Sequence, residues 1–286
     1  MHNKPASLPI RLARILRIAG HVVRGLWVTA VRFPCLDAAG QNREIRHWAR
    51  RLLAILNVRV SCLNEPDALP PRCVLVANHV SWLDVMMIFA VHPAVFVAKD
   101  EVRRWPMVGR LCAQAGTLFI ARGNRRHARR INGSVGQALS TGRLVAMFPE
   151  GTTTDGRVLN PFHRALFQSA VDADAMLQPV GIRYTCPNGT WTDVPAYVGE
   201  MSMVESLWRI VSTRALVAEL HFAPPIAARN GHRRDLAQLA ETAIAGALNL
   251  APPRRSPETR FDPQGELQSA GLPIHSHYQV PAGRDG

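Results

Sequence analysis

Short apolar runs recurring between helical segments constrain this chain more than any other feature. Cys73–Ala77, residues 94–98, 117–120, 143–148 and 178–184, and Leu216–Phe222 are too short for core helices. Most are continuously apolar, as strands buried on both faces require. Between them lie segments with helical spacing of apolar residues: one running to about His92, then 99–115 with a break near Pro106, 126–140, 162–176, 203–213 and 235–248. Strands alternating with helices predict an α/β fold: a mixed, mostly parallel sheet flanked by helices. Val58–Leu63 reads as one further strand, and residues 64–72, with three prolines and two acids, as a loop.

The first 57 residues differ in character. Residues 10–33 form an amphipathic pattern, with Arg11, Arg14, Arg17, His21, Arg24 and Arg32 within roughly 140° of one another on a helical wheel. Leu12, Ile15, Leu16, Val22, Val23, Leu26, Trp27 and Ala30 take the opposite side. No charge-free stretch approaches the ~20 residues a membrane span needs. The pattern suits a helix lying in a membrane interface with its arginines toward anionic headgroups; the alternative is a helix packed on the protein. Pro34 ends it, and residues 41–57 form a second helix. The expected organisation is therefore 1–57 for membrane association, 58–251 for the α/β domain, and 252–286 as a disordered tail rich in Pro, Gly, Ser and charge.

Charge is unevenly placed. Lys4 and ten arginines precede Ser61, against Asp37 and Glu44, and nine arginines with no acid lie between Glu101 and Glu150. Two basic zones on a chain of net charge +13 predict anionic partners. No recognition-helix, zinc-finger or RNP-like pattern accompanies them, so nucleic acid is not the expected one. The five scattered cysteines have no metal-ligand spacing and point to a reducing compartment, and no secretory signal is evident.

The chemistry concentrates at Asn78-His79-Val80-Ser81-Trp82-Leu83-Asp84, directly after the run Cys73–Ala77. On a helix, five steps of about 100° would put His79 and Asp84 on different faces. His79 must precede the first helical turn if Asp84 is to reach it. That arrangement gives an imidazole base whose tautomer is held by a carboxylate. The plainer reading is a capping residue and a surface aspartate. Ser81 lacks a Gly-x-Ser-x-Gly elbow, and reads as structural rather than as a nucleophile.

Three further blocks follow in order: Gly116-Thr117-Leu118-Phe119-Ile120-Ala121-Arg122, Phe148-Pro149-Glu150-Gly151-Thr152 and Gln178-Pro179-Val180-Gly181-Ile182. With the first, they resemble the glycerolipid acyltransferase family, nearest its bacterial 1-acyl-sn-glycerol-3-phosphate acyltransferases, over roughly residues 58–225. The resemblance implies transfer of a fatty acyl group from acyl-CoA or acyl carrier protein to a lysolipid hydroxyl, on the cytoplasmic face of the inner membrane, by a peripheral or monotopic enzyme. His79 and Asp84 would be catalytic. Arg122 would hold the acceptor's phosphate, and Glu150, Gly151 and Thr152 would bind the acceptor or order its loop. Lys99, ending a strand, joins them as a substrate-binding candidate. No metal or bound cofactor is implied. Backbone N–H groups near the helix start are expected to stabilise the oxyanion.

Two departures bear on the acceptor. Ala121 stands where the family usually has an acid before the arginine, and Thr153 where it usually has an arginine. The Thr153-Thr154-Asp155-Gly156 sequence, with Asn160-Pro161-Phe162 and residues 201–208, is more similar to the lyso-ornithine lipid acyltransferase branch. Lysophosphatidate is the first expectation and lyso-ornithine lipid the alternative. A catalytically inactive membrane-binding protein is the third reading, opposed by the intact motif residues.

Overall fold

Strand β2 (Cys73–Ala77) is buried along its whole length at the middle of an eight-stranded sheet. The structure, a computed structural model, describes residues 5–105, 108–120 and 125–253. In chain order the other strands are β1 (Val58–Leu63), β3 (Val95–Lys99), β4 (Leu118–Ile120), β5 (Val145–Met147), β6 (Met176–Thr185), β7 (Leu216–Phe222) and β8 (Ile226–Ala227). The sheet order is β1-β7-β6-β2-β5-β3-β4, with β8 paired to β6. Strands β6, β2, β5, β3 and β4 run parallel, whereas β7 is antiparallel to β6 and carries β1 parallel to itself. The sheet is thus mixed and mostly parallel, as the alternation predicts.

Side chains of β2 alternate between two cores, as the pleat requires. Leu75 and Ala77 join a cluster with α2 (Ala38–Leu56) and α3 (Leu83–Val91). Val74 and Val76 join one with α6 (Arg125–Ser140), α7 (Gln168–Asp172) and α9 (Arg233–Leu248). The helical segment expected at 99–115 with a break near Pro106 is two helices, α4 (Asp100–Arg103) and α5 (Val108–Gln114). The helix expected at 162–176 is corrected. It shrinks to a 3-10 turn at Arg164–Phe167 followed by α7, and β6 begins at Met176. The backbone N–H of Phe162 is claimed by Glu241 of α9 at 2.7 Å, and Asp174 takes a left-handed conformation (φ 46°). His163, extended at ψ 100°, and Asp174 interrupt the segment, so it is not one continuous helix. The tail expected from Pro252 lies, beyond Pro253, outside the described residues.

Helix α1 (Leu8–Val31) packs with its arginine side partly inward. Arg14 is buried and donates to the carbonyls of Val211 (2.9 Å), Thr213 (2.6 Å) and Arg214 (2.9 Å) at the end of α8 (Met203–Ser212). Those carbonyls lack helical partners, so a guanidinium caps them. His21 is buried too; it stacks on Trp48 at 4.7 Å, and each ring exchanges a hydrogen bond with the other's backbone carbonyl. The expectation that Arg14 and His21 face headgroups is therefore corrected. Arg17 and Arg24 remain exposed. So do Leu8, Leu12, Leu16, Val23, Trp27 and Val31, a stripe opposite the buried face; Val204 and Trp208 of α8 are exposed as well. No helix among the described residues is long and apolar enough to cross a membrane.

Candidate active site

Helix α3 begins at Leu83, so His79 lies in the connection from β2, ahead of the first turn, and Asp84 lies within that turn. His79 Nδ1 is 2.8 Å from Asp84 Oδ2. The same oxygen accepts the backbone N–H groups of Val80 (2.7 Å) and Ser81 (2.9 Å). An oxygen receiving two N–H donors is an acceptor, and Asp84 has no solvent exposure. Nδ1 therefore carries the proton, and Nε2 presents its lone pair. The imidazole is 21% exposed and stacks on Phe148 at 4.0 Å and 8°. It is thus fixed in plane as well as in tautomer.

Asn78 explains how this connection is aimed. Its amide donates to the carbonyl of Ile182 (3.0 Å) and accepts the Ile182 N–H (2.6 Å). A side chain thereby continues the β2–β6 ladder one step past the Ala77–Val180 pair. Ser81 is fully buried and its hydroxyl accepts the Leu83 N–H at 3.3 Å, the structural role its sequence context suggests. Trp82 donates its indole N–H to Ser206 of α8 at 3.1 Å.

Glu150 closes the loop after β5 onto the same connection. One carboxylate oxygen accepts the His79 N–H and the other the Asn160 N–H, both at 2.8 Å. It is 4% exposed, and burial pushes its pKa up to about 7 against the pull of those two hydrogen bonds. Of the two roles expected for it, this geometry describes loop ordering. Gly151 has φ +66°, and a Cβ there would lie 2.8 Å from two ring atoms of His163, so a side chain is excluded twice over. Thr152 is exposed on the same loop. The hydroxyl of Thr153 donates to the carbonyl of Tyr197, and the Thr154 N–H to the carbonyl of His79 at 2.9 Å. Lys99 is the last residue of β3, paired in register with Ile120. Arg122 lies outside the described residues.

Several of the backbone N–H groups near the start of α3, where oxyanion donors are expected, are already engaged. The N–H groups of His79, Val80, Ser81, Leu83 and Asp84 already serve Glu150, Asp84, Asp84, the Ser81 hydroxyl and the Ser81 carbonyl. Sequence reasoning missed Tyr184, whose hydroxyl donates to Asp84 Oδ1 at 2.6 Å. Its only signal was the one aromatic residue in its strand, since a buried tyrosine hydroxyl needs a partner. No group of three or more His, Cys, Asp or Glu side chains suited to a metal occurs among the described residues. What the site offers chemically is one oriented imidazole lone pair, backed by a buried carboxylate, at the C-terminal end of a central parallel strand. Open α/β sheets bind their ligands at that end.

Comparison with known proteins agrees with this picture. A family model described as Acyltransferase matches residues 60–183. The chain is 38% identical over 224 residues to a 1-acyl-sn-glycerol-3-phosphate acyltransferase of Neisseria meningitidis, covering 78% of this chain and 86% of that one. It is 36% identical over 243 residues to a lyso-ornithine lipid O-acyltransferase of Pseudomonas aeruginosa, covering 83% and 93%. The crystal structure of the 1-acyl-sn-glycerophosphate acyltransferase of Thermotoga maritima shares the fold, with a TM-score of 0.61 at 19% identity over 85% of this chain and 95% of that one. On these relatives, and with the family's His and Asp brought together at 2.8 Å, the chain belongs to the acyltransferase family.

Proposed function

We propose that this protein moves a fatty acyl group from the thioester of acyl-CoA or acyl carrier protein to the hydroxyl of a lysolipid, with His79 as general base. The observation that carries the reading is the state of the imidazole: Asp84 holds Nδ1–H, so Nε2 is the nitrogen able to take a proton. As the lysolipid oxygen attacks the thioester carbonyl, its proton passes to Nε2 and Asp84 stabilises the imidazolium. Collapse of the tetrahedral intermediate breaks the C–S bond. The thiolate leaves with the electron pair and recovers the proton from His79 or solvent. An ester has formed and a thioester has broken, with no enzyme nucleophile.

The first acceptor is 1-acyl-sn-glycerol-3-phosphate, giving phosphatidic acid, with Arg122 as the phosphate ligand. Lys99 and Thr152 remain candidates beside it. One observation favours the second acceptor, lyso-ornithine lipid. Thr153 replaces the family's usual arginine, and its hydroxyl is tied to Tyr197, so this position offers a phosphate no cation. The reaction takes place at an anionic membrane surface, on its cytoplasmic face. The apolar stripe of α1, flanked by Arg17 and Arg24, supports peripheral binding. Purified protein with a labelled acyl donor, offered lysophosphatidate and lyso-ornithine lipid side by side, tests both readings. Product from neither would refute the proposal.

A further inference from the structure

We infer that Tyr184 is a positioning residue for acyl transfer: its hydroxyl holds the Asp84 carboxylate in the rotation that aims Oδ2 at His79. The inference rests on the base role of His79. Tyr184 lies near the end of β6, where the strand has run past the end of β2, and it is fully buried on the α3 side of the sheet. Its hydroxyl is 2.6 Å from Asp84 Oδ1.

The two carboxylate oxygens have divided their work. Oδ2 takes three N–H groups, from His79, Val80 and Ser81. Oδ1, with no solvent to reach it, takes the Tyr184 hydroxyl. A carboxylate whose second oxygen lacked a donor would gain by rotating or by binding a proton, and either change disturbs the contact with Nδ1. Tyr184 acts as a donor throughout, because burial and then the Asp84 charge raise its own pKa well above the usual phenol value. β6 thus fixes the catalytic connection at two points: Ile182 grips Asn78 through the backbone, and Tyr184 grips Asp84 through the hydroxyl. The titratable groups around Asp84 are His79, Tyr184 and Glu150. A purely structural hydrogen bond would change stability but not the proton affinity of the dyad.

The test compares wild type, Tyr184→Phe and His79→Ala as full-length protein on mixed vesicles, with rates followed across pH. Phenylalanine keeps the ring and removes only the oxygen. We expect a folded Tyr184→Phe protein with kcat lower by roughly 10- to 100-fold, the size of a lost hydrogen bond to a charge. KM for donor and lysolipid should stay within about twofold. The acid limb of kcat/KM should move up by about half to one pH unit, because a dyad without its second donor binds a proton more tightly. If Tyr184→Phe fails to fold, a difluorotyrosine at position 184, a stronger donor, decides instead by moving the acid limb down. An inactive His79→Ala beside a folded Tyr184→Phe with wild-type rate and acid limb overturns this inference alone, as does an unmoved limb in the fluorinated protein. Near-normal turnover in a folded His79→Ala protein overturns the base reading and this inference with it.

Discussion

Replacing Leu12, Leu16 and Trp27 of α1 with serine should release the folded protein from lipid vesicles. These side chains are 56%, 75% and 56% exposed on the face of α1 turned away from the protein. Fully burying a large apolar side chain contributes about 1.5–3 kcal/mol. Scaling by the exposed fractions gives roughly 1–2 kcal/mol each, or on the order of 10²–10⁴ in partitioning for the three together. Each arginine near an anionic surface adds only about 1 kcal/mol, and salt screens that contribution. Reversing Arg17 and Arg24 should therefore weaken binding by a smaller, salt-sensitive amount. Arg14 should behave differently. It caps α8, so Arg14→Glu should lower the melting temperature and loosen the α1–α8 contact rather than act through lipid charge. Co-sedimentation with anionic vesicles at low and high salt, alongside melting curves, separates these outcomes. A folded triple-serine variant that sediments like wild type refutes the assignment of this face to the membrane.

Three other outcomes can be measured independently. His79→Ala should lower turnover by about 10²–10⁴ with folding and vesicle binding intact, and Asp84→Asn should be comparably damaging because the imidazolium loses its counter-charge; single-turnover assays check both. Glu150 is held at about 7 against an ordinary 4.5, so the folded protein keeps a proton that the unfolded chain releases. Stability from this group is fully present below pH 4.5 and is lost as pH rises through about 7, by about 3 kcal/mol in all. In urea melts between pH 5 and 8, wild type should fall away from Glu150→Gln as pH rises, because glutamine keeps the neutral form; parallel curves contradict this account. Arg126 and Arg129 lie one turn apart at the start of α6. Charge reversal there should raise the KM for the acyl donor and spare the lysolipid KM if the cluster meets the donor's phosphates or an acidic carrier. Weaker vesicle binding with donor KM intact would assign it to headgroups, and no change in either would leave it plain surface.

What sequence made legible follows a physical division. β2 could be read because a strand buried on both faces has to be apolar throughout, and all five of its residues are buried. The His79–Asp84 pairing could be read because helical geometry forbids it unless the histidine lies before the helix, which is where it lies. Failures cluster where one residue's partner is far along the chain. Phe162 is held by Glu241, Arg14 by carbonyls near residue 212, and Asp84 by Tyr184, and no local periodicity carries those pairings. Residues 162–176 show the consequence. Their apolar residues were read as a helical stripe, yet Phe162, Phe167 and Ala170 reach the same core from an irregular turn and a short helix. Arginines on α1 were read by their common position on a wheel, which cannot tell a solvated guanidinium from one that caps a neighbouring helix.

The long-range contacts that sequence did not reveal also connect α1 to the connection carrying His79. Arg14 of α1 grips the C-terminal end of α8, and the Ala6 N–H adds a backbone hydrogen bond to Ser212 at 2.8 Å. Ser206, on the next face of α8, receives the indole N–H of Trp82. Trp82 lies between the His79 and Asp84 ends of the catalytic connection, so one ten-residue helix touches both the apolar-striped helix and the site. A helix of that length is far stiffer than a loop. It follows that a lysolipid entering from a bilayer bound by α1 would meet Nε2 at a depth set by α8 rather than by a flexible tether. Misplacement by about 1 Å can cost ~10²-fold in a reaction that depends on positioned groups. Weakening the α8 link, for example by Ser206→Ala, should on this reasoning lower kcat for membrane-embedded lysolipid more than for a short-chain soluble acceptor. Equal losses with the two acceptors would mean that α8 supports the site without setting its depth.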